Sequence, residues 1–325
     1  MNSFLKSIKY FILAVLIYGC NQPKGEQSIL LINSYHEGYG TSDDITQGIV
    51  ATLSDKPVTL DIIYMDTKRN TDPEYINKVT QAILDSIERK APDLIIAADD
   101  NAVQYIVSDH LKDSKIPIVF CGVNWSADQY DLPSSHITGM LEVLPFEQGI
   151  ELSKRFYPNI QNVYVLSEYT NSEQKNTESI ARICEDIDIS LHYKLVEDFE
   201  AWKQGFLEAC ESSDLIYLPT NGAISNWDKE AAIEFVKANI KGPVITCDDF
   251  MMPYCVFGFT KVQSEQGIWA ANTALEILNG KGPSTIPRAK NSQTQIWYNP
   301  FLAEMINIEP DQDFIDNSKV FQYVD

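Results

Sequence analysis

The chain has 325 residues, a formal net charge of −21 at pH 7, 44% hydrophobic and 22% charged residues. That composition belongs to a folded globular protein long enough for two domains, and it excludes a disordered chain. The negative surplus, with no basic block to offset it, excludes nucleic acid and anionic membrane surfaces as partners, because either would bring phosphate against like charge.

The first elements in chain order are not part of the fold. Lys6 and Lys9 precede the run YFILAVLIYG, which is too short to span a bilayer and has the length of a signal-peptide core. It ends in LIYGC. A small residue directly before a cysteine, after such a run, resembles the lipobox of bacterial lipoproteins. The resemblance implies a signal peptide over 1–19, cleavage before Cys20, and a lipid on the Cys20 sulfur. Residues 20–27 are then a lipidated tether. No later segment is long and apolar enough to cross a bilayer. The protein is therefore expected to be exported and anchored to a bacterial membrane by lipid alone, facing the periplasm or the cell exterior. Five further cysteines, Cys121, Cys184, Cys210, Cys247 and Cys255, form no CxxC pair, so no metal site is expected and they read as small buried residues.

From residue 28 onward, buried strands alternate with amphipathic helices. SILLIN is a strand of continuous apolar character, the mark of a parallel strand covered on both faces. A helix follows with Ile45, Ile49 and Leu53 on one face. VTLDIIYMD is the second strand. Asp72 and Pro73 read as the cap and first turn of a helix carrying Ile76, Val79, Ile83 and Ile87. PDLIIAAD, a short helix over NAVQYIVSDHL, and IPIVFCGVN complete one array. The polar stretch WSADQYDLPSSH interrupts the rhythm. HITGMLE, NVYVLSE, SLHYKLVED, DLIYLPTN and GPVITCDD then read as the strands of a second array. Thr170 with Glu173 fits a capping box for one of its helices. FGFTKV is a late strand and SEQGIWAANTALEILNG a late helix. The fold class is α/β, with two doubly wound parallel-sheet lobes.

SYHEGY with TSDDI, YMDTKRNTDPEY, PDLIIAADDNAVQYI, IPIVFCGVN, ITGMLE and QGIWAANTALEILNGKGPSTIP together resemble the type I periplasmic binding protein fold. The branch is that of ABC-transporter solute-binding lipoproteins and bacterial extracytoplasmic sensor regions. The resemblance spans nearly all of the mature chain. It implies two lobes joined by a three-crossing hinge, with crossings near Asn124, Asp249 and Pro287. Lobe 1 is then 28–123 plus 250–285, and lobe 2 is 124–249 plus 286–325. It also implies a ligand between the lobes. Gly40 and Thr41 stand where the branch carries a Pro-Trp pair, so ligand identity is not inherited.

Ligands of open α/β sheets bind beyond the carboxyl ends of the strands. That rule selects Ser34, Tyr35, Asp66, Asp99, Asp100, Asn101, Gly122 and Asn124 from the first array. From the second it selects Glu142, Glu168, Tyr169, Thr220, Asn221, Asp248 and Asp249. The ligand-binding set is Ser34, Tyr35, Asp99, Asp100, Asn101, Asn124, Glu168, Tyr169, Asn221 and Asp248. One of Asp99, Asp100 and Asn101 is also expected to cap the following helix. Trp125 either stacks on ligand or plugs the hinge, and Asp66 forms a local ion pair.

Catalytic signatures are missing. Asp43 takes the third glycine place of GxGxxG, the four histidines lack ligand spacing, and no GxSxG elbow surrounds Ser34. No catalytic residue, metal or cofactor is expected. The acidic lining favours a small polar solute that is cationic or hydroxyl-rich over a strongly anionic one, and an amino acid, a sugar or a nucleoside fits. The partner is an ABC permease or, alternatively, a membrane sensor kinase, with a cleft hydrolase the least favoured reading.

Overall fold

The structure is a computed structural model that describes residues 27–133 and 135–323, so Cys20 and the lipobox lie outside the described residues. The first lobe opens with β1 (Gln27–Asn33), α1 (Gly40–Leu53), β2 (Val58–Tyr64), α2 (Pro73–Lys90) and β3 (Leu94–Ala98). A short α3 (Asp99–Ala102) runs into a π-helical segment (Val103–Leu111), followed by β4 (Ile118–Asn124) and β5 (Ile137–Glu142). The second lobe holds α4 (Phe146–Lys154), β6 (Asn162–Glu168), α5 (Asn171–Asp186), β7 (Ser190–Val196) and α6 (Phe199–Ser212). It continues with β8 (Leu215–Tyr217), α7 (Lys229–Asn239), β9 (Val244–Thr246) and β10 (Phe257–Lys261). The chain then returns with α8 (Gln263–Leu278) and β11 (Ala289–Lys290). It ends in β12 (Thr294–Tyr298), α9 (Pro300–Met305), α10 (Gln312–Asp316) and β13 (Lys319–Val320).

The first sheet has the order β11-β5-β4-β3-β1-β2 and is parallel throughout. The second has the order β13-β12-β10-β9-β8-β6-β7, parallel except for the β10–β12 pair. The continuous apolar strands have the expected cause. Leu30, Ile32, Ile95 and Phe120 pack on one face of the first sheet, toward Ile83 of α2 and Ile106 of the π-helical segment. Ile29, Leu31, Ile96 and Val119 pack on the other, toward Ile45 of α1 and Ala271 of α8. Among the described residues the five cysteines are free, and Cys121, Cys184, Cys247 and Cys255 are buried.

The strand partners move the crossings. β5 was expected to open the second lobe, but it pairs with β4 from Ile118↔Ile137 onward. The polar connection before it contributes Ala127, Tyr130 and Leu132 to the first core, which keeps the chain there. β10 was expected in the first lobe, but it pairs with β9 and β12, and Phe257 lies in the second core. The chain therefore crosses after Glu142, at Val262 and between β11 and β12.

Side chains lace these crossings together. Val143 N donates to Asn291 Oδ1 (2.7 Å), and Asn291 Nδ2 donates back to Val143 O (3.1 Å). The Glu265 carboxylate accepts from Ser292 N (3.0 Å) and Gln293 N (2.8 Å). Gln266 accepts from Gly122 N (3.0 Å) and donates to Leu141 O (3.2 Å). Buried or half-buried crossing backbone thus keeps its hydrogen bonds, as it must away from water.

Candidate functional site

Both parallel sheets point their carboxyl ends at one cleft. Its inner pocket is lined from the first lobe by Tyr35, Tyr39, Lys68, Asp99, Asn124 and Glu142. Glu173, Asn176, Thr220, Asp248, Phe250 and Lys261 line it from the second. The closed lobes leave a cavity of about 50 Å³ there. An outer recess, which shares Tyr35, Lys68 and Ser172 with the inner pocket, is lined by Thr67, Asn101, Tyr105, Tyr130, Tyr169 and Lys175.

Two buried lysines organise the inner pocket. Lys68 follows β2, and its Nζ lies 2.5 Å from Oε1 of Glu168, the last residue of β6. The pair therefore joins the lobes across the cleft. Lys68 also sits over the rings of Tyr35 (5.2 Å) and Tyr39 (5.4 Å), whose faces attract a cation. Burial alone would lower the Lys68 ammonium, but Tyr39, Glu168 and Tyr35 outweigh it and hold it above its ordinary value. Glu168 Oε2 accepts from Ala223 N (2.6 Å). Tyr39 reaches the second lobe as well. A Cβ on Gly222 would stand 2.6 Å from the Tyr39 ring, so this approach needs glycine.

Lys261, the last residue of β10, lies at the hinge end. Its Nζ is 2.5 Å from Glu142 Oε1 and 3.3 Å from Asp248 Oδ1. With its amide oriented to satisfy both neighbours, Gln263 donates to Glu142 Oε2 (2.9 Å) and accepts from Lys261 (3.2 Å). Burial raises the Glu142 carboxyl, against the pull of Lys261.

Glu173 in the first turn of α5 is buried and accepts from Ser167 Oγ (2.7 Å) and Asn176 Nδ2 (2.7 Å). Burial first, and the Glu168 charge next, push its carboxyl up to about 7. Asn176 Oδ1 accepts in turn from Trp125 Nε1 (2.9 Å), a second link between the lobes. Trp125 thus braces the cleft near the hinge.

Asp99 differs from all of these. It is 8% exposed, lines the inner pocket, and its Oδ2 has no hydrogen-bond partner. Its backbone is left-handed at φ +68, a conformation that aspartate, like asparagine, adopts more readily than most residues other than glycine. Gly122 beneath it is also left-handed at φ +70, and a Cβ there would lie 2.8 Å from Asp99 Oδ1. Burial, Glu142 and Asp100 hold the Asp99 carboxyl well above the usual carboxylate range.

Among the predicted site residues, Tyr35, Asp99, Asn124 and Asp248 line the inner pocket. Glu168 stands behind it as the partner of Lys68. Ser34 does not line either recess: it is fully buried, its Oγ donates to Ala98 O (2.7 Å) and accepts from Ala102 N (2.7 Å). It stitches β1 to β3 and α3. Asp100 and Asn101 line the outer recess. Asp100 accepts from Asn124 Nδ2 (2.6 Å) and from the Tyr130 hydroxyl, while Asn101 donates to Thr67 Oγ1 (2.9 Å). None of Asp99, Asp100 and Asn101 caps a helix, since the cap residue is Ala98 and no side-chain bond is made. Tyr169 is 58% exposed at the outer recess. Asn221 lines neither recess, and Thr220 takes the inner position. Asp66 forms a local ion pair, but with Arg69 Nε (2.8 Å) and Nη2 (2.7 Å), not with Lys68 of the MDTK stretch, which turns to Glu168.

Lys68, Lys261, Tyr39, Glu173 and Asn176 were not selected from the sequence. Lys261 ends a strand, so the strand-end rule would have found it once β10 was placed in the second sheet. Glu173 was visible only as a capping residue. Thr170 Oγ1 does cap Glu173 N (3.3 Å), but the Glu173 carboxylate turns inward instead of closing the capping box.

Among the described residues no group of His, Cys, Asp and Glu is arranged to hold a metal ion, and no helix is long and apolar enough to cross a membrane. A family model described as "ABC transporter substrate binding protein" matches residues 37–317. The chain belongs to that family. No curated protein matches this substrate-binding family member by sequence. Solved structures match it in fold. A conserved domain protein from Vibrio cholerae is 17% identical with a TM-score of 0.70, covering 91% of this chain and 99% of its own. An ABC domain from Streptococcus pneumonia in complex with L-Trp is 15% identical at TM-score 0.71, with the same coverage. The ligand-free, open structure of a substrate-binding protein with adhesive properties from Clostridium difficile is 17% identical at TM-score 0.69, again covering 91% and 99%. At these identities the likeness establishes the fold, that of type I periplasmic binding proteins.

Proposed function

We propose that this protein is an extracytoplasmic solute-binding lipoprotein, held by a lipid on Cys20, that closes its two lobes on a small polar solute and presents it to an ABC permease. The observation that carries the reading is the inner pocket. Its lining comes from the strand ends of both lobes and is bridged by a buried Lys68–Glu168 pair at 2.5 Å. Such a pocket is complete only when the lobes are together, so a solute that fills it favours the closed state. The family match supports a small-molecule solute, and the L-Trp complex of a similar structure makes amino-acid-like solutes the first to try. The protein acts by binding, not turnover.

The test is a thermal-shift screen of the purified protein against amino acids, amines, sugars and nucleosides. A solute at many times its Kd should stabilise the fold by about 2–4 kcal/mol. Silence across all classes would refute the reading. Stimulation of a permease's ATPase by the loaded protein supports delivery. Stimulation of a membrane histidine kinase, with no transport, would replace the permease by a sensor. An unmodified Cys20 in the mass spectrum of the mature protein would remove the lipid anchor.

A further inference from the structure

Both lysines of the pocket stand against the chain's own carboxylates. Lys68 is paired with Glu168, and Lys261 with Glu142 and Asp248. The first turn of α5, which would otherwise welcome an anion, carries Glu173. Asn124 Nδ2 is given to Asp100, and Asn176 Nδ2 to Glu173. Among the described residues two buried carboxyl oxygens at the pocket make no hydrogen bond: Glu168 Oε1, which lies 2.5 Å from Lys68 Nζ, and Asp99 Oδ2, which has no ion-pair partner either. A buried polar atom left without a partner is costly, so a ligand that supplies a donor there gains doubly. The two lysines stand among five acidic residues, Asp99, Glu142, Glu173 and Asp248 in the lining and Glu168 behind it.

We propose that the inner pocket takes an organic ammonium ion that carries no carboxylate, with its N–H groups donating to Asp99 Oδ2. This rests on the solute-binding reading above and sharpens its ligand. Leu144, Pro219 and Phe250 supply the apolar wall for the body of such a ligand. The left-handed backbone at Asp99 and the glycine at 122 hold the carboxylate in place before the ligand arrives. A second carboxylate, on the ligand, would enter among five acidic groups with both lysines taken, and a charge buried without a partner is strongly disfavoured. Asp99 is faced by Glu142, Asp100, Lys68 and Lys261; burial first, then Glu142 and Asp100, favour its protonated form against the two lysines. Seating an ammonium ion there expels that proton.

The experiment is titration calorimetry of the purified full-length protein with matched pairs, each an amine and its amino acid: tryptamine and L-tryptophan, phenethylamine and L-phenylalanine, putrescine and L-ornithine, agmatine and L-arginine. At least one amine should bind at least about tenfold tighter than its amino acid, with proton release visible as a dependence of heat on buffer ionisation. Asp99→Asn, which tolerates the same left-handed backbone, should weaken that amine by at least about tenfold. If the variant does not fold, the comparison within pairs decides alone. An amino acid that binds as tightly as its amine overturns the inference and leaves the clamp standing. So does silence from every pair while a sugar or nucleoside binds. Undiminished amine binding by Asp99→Asn overturns the assignment of Asp99. Silence from every class overturns the inference together with the solute-binding reading.

Discussion

Lys68 and Lys261 are both buried, and each has a carboxylate oxygen 2.5 Å from its ammonium. They differ in where the clamp puts them. Lys261 ends the strand just before one crossing, and Glu142 ends the strand just before another, so opening the lobes about the hinge leaves that pair together. Lys68 and Glu168 approach from opposite walls of the cleft, so opening pulls them apart. Position, not chemistry, decides whether a buried ion pair supports the fold or only the closed state.

The largest effect that could break this comparison belongs to Lys261→Met. It strands Glu142 and Asp248 as buried like charges, and truncating a buried pair costs about 3–5 kcal/mol. Urea unfolding should show the whole fold weakened by that order, with or without solute. Near-wild-type stability would mean that the hinge does not depend on Lys261.

Lys68→Met removes a similar energy, but from the closed state. Global unfolding should change far less than for Lys261→Met, while small-angle scattering of the solute-free variant should show a larger radius of gyration as the lobes part. A variant that unfolds as readily as Lys261→Met, or that scatters like the wild type, would erase the distinction between the two lysines.

Glu173 sharpens the comparison through pH. Its carboxyl is lifted from 4.5 to about 7 in the folded protein. A group lifted in this way contributes stability that is full below its unfolded value and is lost as pH rises through the folded value. Glu173→Gln, a fixed stand-in for the protonated form, should match wild type near pH 4.5 and exceed it at about pH 8 by about 3 kcal/mol. Denaturation series at the two pH values check this. An equal offset at both would show that Glu173 stays ionised beside Glu168.

The smallest effect is expected at the outer recess. Lys175 is 3.4 Å from Asp100 and donates to the Tyr130 hydroxyl (2.8 Å), but it is half-exposed. Lys175→Ala should therefore cost no more than about 1 kcal/mol and leave the scattering curve unchanged. An opening as large as that of Lys68→Met would make the outer contact, not the inner pair, the lock.

Much of this architecture was legible in the sequence, for physical reasons. The strands were readable because sheets covered on both faces leave continuous apolar runs, as in LIIAA of β3. Asp72 and Thr170 were readable as caps because their side chains bond backbone within a few residues. The crossings were misplaced because strand pairing is non-local. Nothing in ITGMLE or FGFTK says which sheet will hydrogen-bond it. The site was half legible for the same reason. The strand-end rule reached Tyr35, Asp99, Asn124 and Asp248. It could not tell a hydroxyl used inside the lobe, Ser34, from one facing the cleft. It also passed over Lys68 and Lys261, because in a chain of net charge −21 acidic residues drew the attention and their counterions did not.

The most direct test of the clamp is an electron-density map of the protein crystallised with whichever solute raises its Tm most. The expected result is solute density between the two sheets, bounded by Asp99, Glu142, Thr220 and Asp248, with Lys68 still paired to Glu168. Density in the outer recess beside Tyr105 and Tyr169, or on the outer face of either lobe, would contradict it.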